Sequence, residues 1–331
     1  MPDKNILSHK FNLGFFPTPL HFLKNLSEQL DYQIYIKRDD QTGLATGGNK
    51  TRKLEYLIRN ALDGGYDTVI TAGAQQSNHC RQTAAACILA ELECHLLLNN
   101  NKPKIFQGNL LLDNLLGANL HFSTKNTKGR NDDLIELKTS LEKIGKKVYL
   151  IPIGGSNFTG SLGYVSAMKE LSVQLSQENI KKPYIFFATS SGGTQSGMML
   201  GEKLFNIETI LMPVQIDKIK DYQLSLENEV LKILQEGEIK FQLSKTFKLN
   251  DIPVIKGYNF AEYGQLTDNE RYAINLLAKT EGIFLDPVYT GRAFYGMLDY
   301  LKKSKLKMGS NVLFWHTGGL PANFLYGKEM V

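Results

Sequence analysis

The chain has 331 residues, 42% hydrophobic and 21% charged, with a formal net charge of +5, which fits a globular protein with a substantial core and room for two domains. No apolar run approaches the ~18 residues needed to cross a membrane, and the start, MPDKNILSHKFNLGFF, lacks the apolar core of a signal peptide, so the expected location is cytoplasmic. Lysines and arginines are spread along the chain, and the one dense patch, YLKKSKLKMG at 300–309, reads as a solvated helix end, which argues against a nucleic-acid partner.

In chain order, LATGGNKTRKLEYL (44–57) opens a helix near Asn49, with Leu54, Leu57, Ile58 and Ala61 on one face, Asn49 as its expected N-cap and Gly47-Gly48 as the preceding turn. DTVITAG (67–73) reads as a strand, HCRQTAAACILAEL as a helix and CHLLLNN as a strand. A helix follows over 109–117, ending at Gly117, then a short strand near NLHFS, a helix over 133–145 and a strand over 146–155. The alternation continues with a helix over 160–175, strand PYIFFATSSGG (183–193) running into a glycine turn, helix TQSGMMLGEKLF, strand TILMPVQI (209–216) and a helix over 224–234. NERYAINLLAKTEG and RAFYGMLDYLKKS are helical, and NVLFWHTGG (311–319) is the last strand. Strands alternating with helices predict an α/β fold with parallel sheets flanked by helices.

Cys80, Cys87 and Cys94 are an odd number with no CxxC spacing, and they read as buried small hydrophobes. The six histidines show no HxxxH or HxH spacing, so no metal is expected.

Ligands of open α/β sheets bind beyond the carboxyl ends of strands. Three strand ends carry polar loops: TAGAQQSNH (71–79), ATSSGGTQSG (188–197) and WHTGGLP (315–321). SSGGTQSG places small residues and hydroxyls where a helix begins, a pattern suited to a phosphate. Its glycines, at 192, 193 and 197, do not match GxGxxG, which sets aside a dinucleotide fold. GLATGGNKT resembles GxxxxGK[ST], but Asn49 intervenes between Gly48 and Lys50 and the segment follows charged IKRDD rather than a buried strand. That displaces the lysine and disfavours nucleotide hydrolysis.

Lys50, Arg52 and Lys53 crowd the helix start with cations, against the macrodipole. Two readings of Lys50 stand on the residues alone. It caps a surface turn, or it is an amine kept neutral by nearby positive charge for Schiff-base chemistry with an aldehyde. With a glycine-rich phosphate loop, the second reading points to pyridoxal 5′-phosphate.

IKRDDQTGLATGGNKTRKLEYL and TAGAQQSNHCRQTAAA resemble the pyridoxal-phosphate-dependent family of 1-aminocyclopropane-1-carboxylate (ACC) deaminase and D-cysteine desulfhydrase, of the tryptophan-synthase-β-like fold (fold type II). The likeness continues through GGSNFTGSLGYVSAMKEL, SSGGTQSG, LDPVYTGRAFYGM and HTGGLP. It implies Lys50 as the Schiff-base lysine, Asn78 on the cofactor's ring hydroxyl, and Ser77 with neighbouring N–H groups and His79 in the loop that receives the substrate carboxylate. It also implies that Ser191, Gly192, Gly193 and Thr194 cradle the phosphate and that Tyr263 and Tyr289 are active-site tyrosines. It implies a homodimer of two-domain chains: a large cofactor-binding domain at 1–50 and 163–331 and a smaller inserted α/β domain at 51–162.

Within this family, ACC deaminases have glutamate where this chain has Thr290 and usually leucine where it has Thr317. A hydroxyl such as that of Thr317 can bond the pyridine nitrogen but cannot keep it protonated as a carboxylate would. Two readings again stand: the threonines weaken the ring as an electron sink and favour β-elimination, or neither touches the cofactor. The expectation is D-cysteine β-elimination to pyruvate, sulfide and ammonia, with a small amino acid as the substrate. ACC deamination and elimination of another β-substituent, such as sulfite from cysteate, are the alternatives. A non-catalytic amino-acid-binding protein is a reading of another class, disfavoured because binding alone needs no Schiff base.

Overall fold

The computed structural model describes residues 4–125, 127–217, 225–244, 246–259, 264–303 and 306–330. The elements run β1 (Leu20–Phe22), α1 (Lys24–Leu30), β2 (Gln33–Arg38), α2 (Lys50–Asp63), β3 (Thr68–Gly73), α3 (Asn78–Leu89), β4 (Glu93–Asn99), α4 (Gly108–Leu115), β5 (Asn119–Ser123), α5 (Thr127–Lys143) and β6 (Val148–Leu150). They continue with α6 (Phe158–Gln177), β7 (Tyr184–Thr189), α7 (Gly193–Phe205), β8 (Ile210–Gln215), α8 (Leu226–Phe241), α9 (Asp268–Glu281), α10 (Thr290–Lys303), β9 (Asn311–His316) and a last short helix, α11 (Gly327–Met330).

These strands form a five-stranded sheet, β1-β2-β9-β7-β8, and a four-stranded sheet, β5-β4-β3-β6. Every pairing is parallel except β1 with β2. A parallel sheet is covered on both faces, so its strands are apolar at every position rather than at alternate ones. In the larger sheet Ile185, Phe187, Leu313 and Trp315 pack with α6, α7 and α8, while Phe186, Val312 and Phe314 pack with α1, α9 and α10. In the smaller sheet Val69, Leu96 and Leu98 face α2 and α3, and Ile70, Ala72 and Leu97 face α5. All three cysteines are free and buried, the first two on α3.

Three local expectations are corrected. IKRDD begins inside a buried strand after all: β2 runs through Arg38, and Lys37 is fully buried. Its ammonium is accommodated by Glu170 and by Gln174 Oε1 at 2.7 Å, partners from α6 that a local reading cannot supply. The strand expected over 146–155 stops at Leu150, and Ile153–Gly155 form a 3-10 turn. Asn49 does not cap α2 with its side chain. The orphan N–H of Thr51 is instead taken by Gln82 Oε1 of α3, at 2.7 Å.

Candidate active site

Helix α2 carries three cations into the interior, and each meets a different environment. Lys50 Nζ donates to Asn49 Oδ1 at 3.0 Å. Burial pushes its amine down to about 8; Asp286 opposes that shift and Arg81 adds to it. The neutralising influence is thus desolvation first and a cation on α3 second, not the neighbouring cations of its own helix. Arg52 turns away: Nε and Nη2 bond the two oxygens of Asp39 at 2.9 and 2.8 Å, and Nη1 and Nη2 bond Glu170 at 3.0 Å. Lys53 is buried, with Nζ donating to the Gly154 carbonyl at 3.1 Å and to Ser156 Oγ at 3.4 Å. Burial, reinforced by Lys50, holds its amine well below the ordinary lysine range.

The loop before Lys50 is held from all sides. Gly48 sits at φ +133°, where a Cβ would come within 2.5 Å of Gln82 Nε2, so only glycine fits. Asn49 N–H donates to the Thr317 carbonyl at 3.0 Å, and Asn49 Nδ2 donates to Thr194 Oγ1 at 3.3 Å. The GGNK, HTGG and SSGG segments therefore converge on one point.

Ser77 caps α3, its Oγ accepting from Cys80 N–H at 3.2 Å. Asn78 follows, its Oδ1 accepting from Arg81 and Asn109, each at 2.9 Å. His79 is 3% exposed and bonds Thr71 Oγ1 through Nε2 at 3.0 Å. The Thr71 hydroxyl proton already goes to the Ile151 carbonyl at 2.8 Å, so Nε2 of His79 is the donor and Nδ1 carries the lone pair. Burial, then Lys50 and Lys53, keep the ring well below its usual pKa and therefore neutral.

Across from these residues, Gly192 opens α7 in the left-handed conformation. Ser191 Oγ lies 2.7 Å from Ser156 Oγ. Ser190 instead donates to Asp217 Oδ2 at 2.6 Å, which removes its hydroxyl proton from the loop's donor set. A Cβ on Gly193 would stand 2.7 Å from Ser156 Oγ and 2.9 Å from Lys53 Nζ. The start of α7, two serine hydroxyls and the Lys53 amine thus surround one small space. Lys53 has no carboxylate partner among the described residues, and a buried amine beside a helix N-terminus calls for an anion. Pyridoxal 5′-phosphate fits: Lys53, Ser156, Ser191 and the first N–H groups of α7 would hold its phosphate, and Lys50 would reach its aldehyde.

On the third side, Asp286 caps α10. Its Oδ2 accepts the N–H groups of Val288 and Tyr289 at 2.9 Å, and its Oδ1 accepts the N–H and hydroxyl of Thr290 at 2.7 and 2.6 Å. Thr290 is fully buried, and its Oγ1 also receives the Asp286 N–H at 2.7 Å. Its hydroxyl is thus committed to the cap. Thr317 is 8% exposed at the end of β9, Tyr289 is half-buried, and Tyr263 lies outside the described residues.

Lys53, Ser156, Arg81, Asn109 and Asp286 were not among the expected site residues. A signal for Lys53 was available, since it follows Lys50 by three and so shares its helix face. Arg81, Ser156 and Asp286 lie within the segments TAGAQQSNHCRQTAAA, GGSNFTGSLGYVSAMKEL and LDPVYTGRAFYGM, whereas Asn109 comes from a stretch with no such signature.

Residues 11–318 match the pyridoxal-phosphate dependent enzyme family. A D-cysteine desulfhydrase from Yersinia enterocolitica is 41% identical over 318 residues, covering 95% of this chain and 94% of the relative. A putative 1-aminocyclopropane-1-carboxylate deaminase from Pyrococcus abyssi is 39% identical over 315 residues, covering 95% and 92%. The crystal structure of an ACC deaminase homologue superposes with a TM-score of 0.89 at 35% identity, covering 100% of this chain and 99% of that one. The chain that folds half-buried Lys50 and buried Lys53 between these glycine-rich loops belongs to the pyridoxal-phosphate dependent enzyme family, and its cofactor is pyridoxal 5′-phosphate.

Proposed function

We propose that the protein is a D-cysteine desulfhydrase, converting D-cysteine and water to pyruvate, sulfide and ammonia. The observation that supports this reading is the state of the carboxylate nearest in effect to Lys50. Asp286 is saturated by four donors at the start of α10, and position 290, glutamate in ACC deaminases, is a threonine locked in that same cap. The hydroxyl of Thr317 is then the group left to meet the ring nitrogen, without a carboxylate to hold it protonated. Such a site suits loss of a β-thiolate better than opening a ring that has no α-proton to give.

Bound pyridoxal phosphate supplies an aldehyde that condenses with amines and a ring that draws electrons from the substrate's α-carbon. Lys50 would hold the cofactor through Nζ, and its free Nζ would take the substrate's α-proton; Tyr263 or Tyr289 is the alternative base. Ser77 and the N–H groups that open α3 receive the substrate carboxylate, with His79 behind them as a neutral wall. Asn78 donates to the ring oxygen. Ser191, Gly192, Gly193, Thr194 and Lys53 hold the phosphate, and Tyr289 stands near the thiol. The chain works as a homodimer, a reading supported by exposed Leu111 and Leu115 on α4 beside exposed Leu320 and Phe324. The chain reads as a large domain at 1–50 and 163–331 and an inserted one at 51–162, a division supported by its two separate sheets.

The second reading, ACC deaminase, is favoured by the name of the Pyrococcus abyssi relative, which is nearly as similar as the desulfhydrase. One assay separates the two. Cofactor-loaded protein is given D-cysteine, L-cysteine and ACC in parallel and the ketoacids are identified. Pyruvate with sulfide from D-cysteine and no α-ketobutyrate from ACC is expected; α-ketobutyrate at a comparable rate overturns the assignment.

A further inference from the structure

Arg81 is fully buried on α3, yet among the described residues no carboxylate lies within ion-pair distance of it. Its Nη1 donates to Asn78 Oδ1 at 2.9 Å and to Asn109 Oδ1, its Nη2 donates to the Gly47 carbonyl at 2.9 Å, and its Nε is buried without a partner. Asp113 and Asp286 act on it only through space. A guanidinium held by neutral oxygens alone is a costly thing to bury, and a hydrophobic residue there would fold more easily. Its three contacts say what it is for. They join the loop that carries Lys50 to the amide of Asn78 and to the first turn of α4.

Two donors, Arg81 Nη1 and Asn109 Nδ2, converge on one atom of the Asn78 amide. That atom must be the oxygen, so the orientation of the amide is settled by chemistry. Asn109 is itself fixed, its N–H bonded to Gln76 Oε1 at 2.9 Å and its Nδ2 to the Gln76 carbonyl at 2.8 Å. The Asn78 NH₂ end has no partner among the described residues.

We propose that Arg81 and Asn109 are positioning residues that act through Asn78: they saturate its amide oxygen so that only its NH₂ end is left for the cofactor's ring oxygen, and Arg81 locks that amide to the Lys50 loop. The inference rests on the reading of Asn78 and Lys50 given above. The same guanidinium has a second effect, because its charge opposes protonation of Lys50.

The test measures two properties of apoprotein titrated with pyridoxal phosphate: affinity, and the pH midpoint of covalent uptake. Asn109→Asp gives Arg81 an ion-pair partner and offers Asn78 an acceptor where it now meets a donor, turning its amide. The expected result is affinity weaker by about 10- to 100-fold and a midpoint displaced to higher pH. Arg81→Lys keeps the charge but loses the fork, so affinity should fall while the midpoint stays; it serves if Asn109→Asp does not fold. Asn78→Ala completes a double-mutant cycle, in which Asn109→Asp should cost nothing further in affinity measured above the pH midpoint of both proteins. If Asn78→Ala weakens binding while Asn109→Asp and Arg81→Lys leave affinity and midpoint within twofold of the parent, the positioning role is wrong. If Asn78→Ala itself binds normally, the underlying reading of Asn78 falls, and the positioning role with it.

Discussion

Lys50 and Lys53 lie three residues apart on one helix, both with amines depressed by burial, yet they meet opposite kinds of surroundings. Lys50 has the Asn49 amide oxygen at 3.0 Å and the charge of Asp286 to steady it. Lys53 has a carbonyl, a serine hydroxyl and a helix N-terminus. One is an amine steadied by a carboxylate's charge and ready to lose its proton; the other is an amine with no carboxylate beside it, whose charged form needs an anion to arrive.

Replacing Lys53 by methionine should therefore leave covalent attachment at Lys50 possible but weaken the phosphate's hold. A buried charge partner removed in this way costs about 2–5 kcal/mol, or about 30-fold and more in affinity. Titration of the apoprotein with pyridoxal phosphate, compared with pyridoxal lacking the phosphate, checks this. The loss should be confined to the phosphorylated form.

Uptake of the cofactor needs the free amine of Lys50, so its rate should rise as pH climbs through about 8. Asp286 holds that value up. In Asp286→Asn the midpoint should move to lower pH, and loss of the cap on α10 should cost about 1 kcal/mol of stability. A stopped-flow pH series on both proteins reads the shift directly.

Much of this arrangement was legible in the sequence, and the reason is local. Strands such as PYIFFATS are continuous apolar runs, and each is followed within a few residues by the glycines or polar groups of a binding loop, so both fold class and site loops can be read without knowing what touches what. Asn49 shows where this fails. Its type and place satisfy the N-cap rule, but its side chain is recruited by Lys50 and Thr194, and Gln82 of a later helix serves α2 instead. Lys37 fails the same way, since a lysine inside a strand is tolerable only because Glu170 lies 133 residues away in sequence and adjacent in space. Partner identity across such separations is not a property of any local window.

The buried pairing of Arg52 with Asp39 and Glu170 anchors the first turn of α2, between Lys50 and Lys53 in sequence. Burial pushes both carboxyls up, but the guanidinium prevails and holds them below the ordinary range. Arg52→Met strands Asp39 in the interior and leaves Glu170 to Lys37 alone, and should cost about 3–5 kcal/mol, measured by denaturant unfolding at neutral pH. Folded-state values below the unfolded ones mean that this contribution is complete above the ordinary carboxyl pKa and fades as pH falls through the depressed values. The stability gap between parent and variant should accordingly narrow in acid.

The most direct test of the account is to reduce the cofactor-loaded protein with borohydride, digest it and locate the modified lysine by mass spectrometry. A phosphopyridoxyl group is expected on Lys50, with Lys53 unmodified. A label on Lys53, or on any lysine outside this cleft, would contradict it.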